Sequence, residues 1–226
     1  MAIPMAPMEL PAAEDDNAGQ FTTHHVVDTH VRGKALSVVY TNDLVSVESS
    51  IQTMEQFLAE DKYQVVGFDL KYTIGRVGHD LKVVVAQLCV RRDVLVYHYH
   101  LATRPCKRFS RFINNSDYSF ATADTTNDLK ALKVSGLKCP NLVNIQHHYK
   151  VWGSDKNKLN SVVDLASAII YPYYMKMKNE SKKDKNAWHS VWHERLDEQH
   201  VKYTTKDTYT SYEMYMRIVG MRKCLL

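Results

Sequence analysis

The ten residues 64–73, QVVGFDLKYT, constrain this chain more than any other stretch. They read as a strand buried on at least one face, yet an acid and a base stand inside the apolar run. Strand side chains alternate, so Gly67, Asp69, Lys71 and Thr73 share one face while Phe68, Leu70 and Tyr72 share the other. A carboxylate in the middle of a core strand is costly unless it has a partner, a metal or water. Asp69 therefore either pairs with Lys71, caps an edge of the sheet, or belongs to a site.

The surrounding pattern sets the fold class. Val26, Val27, Val31 and then Leu36, Val38, Val39 form two β-rich runs around Arg32-Gly33-Lys34, a hairpin signal. Ser49-Ser50 precedes Ile51, Met54, Phe57 and Leu58, whose spacing predicts an amphipathic helix. Residues 83–90 and 94–100 predict two more strands, turning at Arg91-Arg92-Asp93, and residues 120–123 a short one. Helices are expected over residues 127–134, 161–170 and 198–219. Antiparallel strands followed by helices alternating with short β segments imply an α/β protein with a mixed central sheet flanked by helices. Residues 1–20, rich in Ala, Pro, Met and acids without an apolar period, are expected to be a flexible tail, leaving 21–226 as one domain.

Composition excludes several classes. In 226 residues, 45% are hydrophobic and 24% charged, which rules out wholesale disorder. No run approaches the ~20 apolar residues of a membrane span, and MAIPMAPMEL lacks the form of a secretory signal. The four cysteines, Cys89, Cys106, Cys139 and Cys224, show no CxxC spacing, so a reducing, intracellular setting is expected, nucleus and/or cytoplasm. A net charge of +4 permits a polyanionic partner without demanding one. His98-x-His100, His147-His148 and His189-x3-His193 have ligand-like spacing, but no cysteine or acid completes a zinc set.

Two further constellations matter. In the last helix, Val201, Thr205, Thr208, Tyr212, Met216 and Val219 make the core stripe, while Tyr203 and Asp207 are neighbours four apart on another face. In TTNDLKALKV, Asp128 opens a helix, where an acid also suits the helix N-terminus.

Taken in order, GFDxx, then NDLKAL with GLKCPNLVNI, then RLDEQHVKYTTKDTYTSYEMY, the sequence resembles the DEDDy 3′–5′ exonucleases of the ribonuclease H-like fold, and among them the Werner-syndrome-exonuclease-type proteins of plants. The resemblance runs from about Phe21 to Met221. Trp192, Leu196 and Tyr203-x3-Asp207 recur at family spacing, and Val162–Ala166 looks like the helix before that block. It implies a ribonuclease H-like domain acting on single-stranded or 3′-ended nucleic acid, with a protein partner as a further possibility. In that chemistry four carboxylates hold two divalent ions about 4 Å apart, clamping the attacking water and the leaving oxygen. Mg²⁺ or Mn²⁺ is implied, with Asp69, Asp128 and Asp207 as ligands and Tyr203 orienting the water.

One position departs. The family reads Asp-x-Glu on its first strand; this chain reads Asp69-Leu70-Lys71. A ligand carboxylate has become an ammonium, a change of two charge units where dications should collect. Two consequences stand open: the Lys71 ammonium sits among the aspartates in place of a metal, with weak or absent nuclease activity, or it snorkels to solvent and a weak metal site survives. A catalytically inactive module that binds nucleic acid or protein is the alternative to a weak nuclease.

Overall fold

The computed structural model describes residues 19–29, 35–72, 81–123, 125–172, 174 and 192–223. Seven strands form a single sheet: β1 (Thr22–Asp28), β2 (Ala35–Thr41), β3 (Val65–Tyr72), β4 (Val83–Val90), β5 (Asp93–Tyr97), β6 (Ser119–Thr122) and β7 (Leu142–Asn144). Their spatial order is β1-β2-β5-β4-β3-β6-β7. β1/β2, β3/β4 and β4/β5 pair antiparallel, while β2/β5, β3/β6 and β6/β7 pair parallel. It follows that every strand except β1 and β4 runs the same way, and their carboxyl ends form one rim of the sheet. The helices are α1 (Leu44–Glu60), α2 (Lys107–Ile113), α3 (Thr125–Val134), α4 (Val162–Ile169) and α5 (Glu198–Lys223).

The strand alternation sorts these into three layers. Val66, Phe68 and Leu70 of β3 join Phe120 and residues of α1, α2 and α3, including Ile51, Met54, Phe109, Phe112 and Leu132, in one core. On the opposite face Val38, Val85, Val96 and Ala121 pack with Leu165 of α4 and Val201, Tyr209, Tyr212 and Ile218 of α5. All eight residues of β4 are buried, as expected for a central strand covered on both sides.

Local chemistry sets the boundaries. Asp43 caps α1, its carboxylate accepting from the Ser46 amide at 2.9 Å, so this helix begins more than a turn before Ser49-Ser50 and both serines lie within it. Ser161 and Asp164 form a reciprocal capping box at α4, which explains an acid in the otherwise apolar VVDLA. β5 ends at Tyr97, and residues 99–101 form a single 3₁₀ turn instead of continuing the strand. β1 and β2 pair antiparallel as the hairpin signal predicts, the tip at Arg32-Gly33-Lys34 lying outside the described residues. Most of the 1–20 segment, His189 and Cys224 lie outside them too.

Helix α5 lies unusually close to β3. A Cβ on Gly67 would stand 2.5 Å from the Thr208 carbonyl oxygen and 2.7 Å from the Tyr212 Cβ. Only a residue without a side chain lets the helix backbone settle there. The middle of α5 is accordingly buried almost all round: Thr208, Tyr209, Thr210, Ser211 and Tyr212 are each at most 6% exposed. Threonines suit this position because their hydroxyls bond within the layer. Thr208 Oγ1 lies 3.0 Å from the Thr204 carbonyl and 3.3 Å from Gln87 Oε1 on β4.

Gly67→Ala is expected to lose about 1–3 kcal/mol in urea denaturation, the cost of overpacking a contact whose opposing atom is backbone. An unchanged midpoint would show that α5 can lift from β3 freely.

Candidate active site: an ammonium held between two carboxylates

Asp69 and Lys71 stand on the face of β3 that meets α5, just beyond the glycine that lets the helix approach. On the N-terminal side of that contact, α5 presents Asp207 and Tyr203. The Lys71 amine closes the gap. Its Nζ donates to Asp69 Oδ2 at 2.6 Å and to Asp207 Oδ2 at 3.2 Å, joining residues 136 apart in sequence. The Lys71 side chain is 14% exposed, against 24% for Asp69 and 33% for Asp207. The amine does not reach for solvent; it turns inward to the carboxylates.

Two aromatic rings complete its surroundings. The amine lies 5.2 Å from the Tyr203 ring centroid and 5.5 Å from that of Trp192, within the range of a cation–π attraction. The Tyr203 hydroxyl donates to Asp207. Burial works to lower the Lys71 pKa, but the charges of Asp69 and then Asp207 outweigh it, and the group is held above its ordinary value. Burial pushes Asp207 up, and the Asp69 charge adds to this against the pull of Lys71. For Tyr203 the neighbouring Asp207 charge, followed by burial, raises the phenol, so it stays a proton donor. The carboxylates thus share one internal cation.

The segment leading into α5 is anchored from the other side of the sheet's centre. The Leu196 amide donates to the Tyr40 hydroxyl at 2.7 Å, and that hydroxyl lies 2.9 Å from His98 Nδ1. Burial, then His100, lowers His98 to about 4, so the ring is neutral. The buried Leu196–Tyr40 contact ties the segment just before α5 to β2.

Asp128 takes a different contact. It is 2% exposed, in the first turn of α3, and its Oδ2 accepts from Thr122 Oγ1 at 2.9 Å. Thr122 ends β6 and by alternation shares the face of Phe120, so the carboxylate is tied to the carboxyl end of β6. Its charge, after burial, also raises the nearby Cys139 thiol to about 12. Of the residues singled out in the sequence, the structure gathers Asp69, Lys71, Tyr203 and Asp207 into one bonded set and holds Asp128 through Thr122. Thr122 carried no sequence signal of its own, and nothing near Gly67 announced its contact with α5.

A dication does not fit the set as it is arranged. Among the described residues no three His, Cys, Asp or Glu side chains form a group that could hold a metal ion. Lys71 Nζ takes one oxygen of each carboxylate, Asp69 Oδ2 and Asp207 Oδ2. An ammonium near a dication is opposed by on the order of several kcal/mol at an effective dielectric of about 20. The histidine pairs likewise assemble no metal group among the described residues. Also among these residues, no helix is long and apolar enough to cross a membrane.

Sequence comparison matches the chain to no family model and to no curated protein. Structural comparison does better. The Aedes aegypti Nibbler EXO domain superposes with a TM-score of 0.55 at 14% identity, over 79% of this chain and 86% of that one. Trypanosoma brucei RNase D in complex with RNA U12 gives a TM-score of 0.61 at 12% identity, over 81% of this chain and 62% of that one. The catalytic core of RRP6 from Trypanosoma brucei, as a C496S mutant, gives 0.60 at 12% identity, over 96% of this chain and 66% of that one. The chain thus spans about three fifths of the RNase D chain and two thirds of the RRP6 core. The mixed seven-stranded sheet with helices on both faces is the ribonuclease H-like fold of exonuclease domains.

Proposed function

We propose that this chain is a nucleic-acid-binding domain on the 3′–5′ exonuclease fold whose metal-dependent hydrolysis is weak or absent because Lys71 supplies the site's cation. The observation that carries the reading is the position of the Lys71 amine, 2.6 Å from Asp69 and 3.2 Å from Asp207. The likeness in fold to RNase D crystallised with U12 RNA supports single-stranded or 3′-ended nucleic acid as the ligand. The spacing of Trp192, Leu196, Tyr203 and Asp207 supports placing the chain with the plant Werner-syndrome-exonuclease-type proteins. Buried free thiols at Cys89, Cys106 and Cys139 suit an intracellular setting, nucleus or cytoplasm.

On this reading Asp69 and Asp207 are the residues that would take Mg²⁺ or Mn²⁺ if the ammonium were removed, with Asp128 as a third candidate. The bound group would supply polarisation of the scissile phosphate and an activated water. In the chain as it stands, Lys71 holds the two acids together, Tyr203 keeps its own proton and donates a hydrogen bond to Asp207, and Trp192 covers the amine.

Two measurements test this. Lys71→Met leaves two neighbouring carboxylates without their cation, and should cost about 1–3 kcal/mol at neutral pH, less than a fully buried pair because both acids keep some solvent. Millimolar Mg²⁺ or Mn²⁺ should restore part of that loss in thermal melts of the variant while leaving the natural chain unmoved. A natural chain stabilised by the metal as strongly as the variant would refute the internal cation. In the second, a labelled single strand and a recessed-end duplex are incubated with Mn²⁺. The natural chain is expected to trim little, and Lys71→Glu, which restores the family's acid, to trim at least about tenfold faster. Rapid trimming by both chains alike would sink the proposal.

A further inference from the structure

A second feature lies beyond β7, on the rim formed by the carboxyl ends of the parallel strands. The chain leaves β7 into a 3₁₀ turn, Ile145–His147, and a loop that returns to the cap of α4 at Ser161. Between the two is an open cavity of about 410 Å³. Lys150, Lys156 and Lys158 line it together with His147, His148 and Tyr149, and no acid is among its lining residues. Asp155 offsets only Lys158, at 3.8 Å. The pocket therefore keeps a net positive charge.

The loop is braced, not loose. Asn160, 8% exposed, accepts from the Val151 amide at 3.0 Å through its side chain and from Gln146 Nε2 at 2.7 Å through its carbonyl. Ser154 closes a turn onto the Val151 carbonyl, 3.2 Å from its amide and 2.6 Å from its hydroxyl. Gly153 takes the left-handed conformation this turn requires, φ +76°. Lys150 Nζ donates to the Lys158 carbonyl, and the Asn157 amide to Asp155 Oδ1, which sets the second turn that presents Lys156.

At the tip of this braced loop stands Trp152, 99% exposed. A tryptophan held in full solvent by an ordered turn forgoes burial that it gains almost anywhere else. Its value lies in what can stack on it. Cationic groups that track a phosphate backbone beside an aromatic platform are the recurring means of holding single strands without regard to sequence. Ligands of open α/β sheets also gather outside the carboxyl ends of the strands. β7 lies two strand spacings from β3, about 10 Å, so the pocket and the Lys71 site share one rim.

We propose that this basic pocket, with Trp152 on its loop, is a docking site for the phosphodiester backbone and one base of a single-stranded nucleic acid. The inference rests on the nucleic-acid reading above and names a second place on the molecule where the strand is held. Three lysines supply the charge and Trp152 the stacking face; neither group is part of the Lys71 site.

Fluorescence anisotropy with labelled 12-mer oligouridylate and oligothymidylate tests it across a salt series, beside a blunt duplex of equal length. Trp152→Ala should weaken single-strand binding roughly tenfold, and Trp152→Phe, which keeps a ring, should retain most of it. Lys156→Ala should weaken binding and reduce the slope of log affinity on log salt by about 0.7, the share of one neutralised phosphate on a single strand. Circular dichroism melts, expected to be unchanged at these exposed positions, confirm folding. If the natural chain binds and these variants bind equally well with the same salt slope, the pocket is overturned while the proposed function stands. Tighter binding of the blunt duplex than of the single strands overturns the stacking role of Trp152 and with it the pocket. If the natural chain binds no oligonucleotide, both readings fall.

Discussion

A lysine amine in a half-closed cleft costs free energy to desolvate, and this fold recovers that cost by drawing a carboxylate from each of two elements onto it. Asp69 comes from the central strand β3 and Asp207 from α5, so the ion pairs tie the last helix to the sheet. The contact is possible because Gly67 brings the backbone of α5 against β3 one step earlier. Steric permission and electrostatic closure thus come from the same strand face. Taking away either partner would leave charge without compensation, which in a buried setting costs more than the pair contributes.

The same arrangement determines what the site can do. Exonuclease chemistry of this fold needs surplus negative charge so that dications are drawn in. Here each acid already has a partner within the chain: Asp69 and Asp207 share Lys71, Asp207 also accepts from Tyr203, and Asp128 accepts from Thr122. The upward shift of Asp207 shows that one ammonium does not fully offset burial and the neighbouring Asp69 charge. Fold alone does not decide between catalysis and binding.

Much of this was legible in the residues. Alternation in QVVGFDLKYT placed Asp69 and Lys71 on one face and away from Phe68 and Leu70, and the four-residue spacing put Tyr203 beside Asp207. Pairing across the sheet was legible for β1 with β2, because the apolar runs flank a turn. α2 and β7 were not, since KRFSRFI and LVN are too short for a period to declare itself. The start of α1 was hidden because Ser49-Ser50 imitates a cap inside a helix whose real cap, Asp43, stands more than a turn earlier. The embedding of α5 in the sheet depends on a Gly67–Thr208 contact that joins residues far apart in sequence, and no local pattern announces it. The contact of Asp128 with Thr122 was invisible for a different reason: an acid in a first turn is equally at home as a helix-dipole partner.

The partnering of the acids in the cleft leaves the surfaces beside it unaltered. The carboxyl ends of the parallel strands β3, β6 and β7 form one rim. The loop after β7 illustrates the difference in constraint. Lys71 had to be partnered because it is buried; Trp152 and the lysines near it are solvated and need no partner to be stable. A braced turn that nonetheless presents a bare indole is therefore not explained by the folding of this chain. The docking proposed above supplies an explanation, a contact made with another molecule. The chemistry beside it, cationic and without acids among the residues lining the pocket, suits a polyanion with flat, stackable groups.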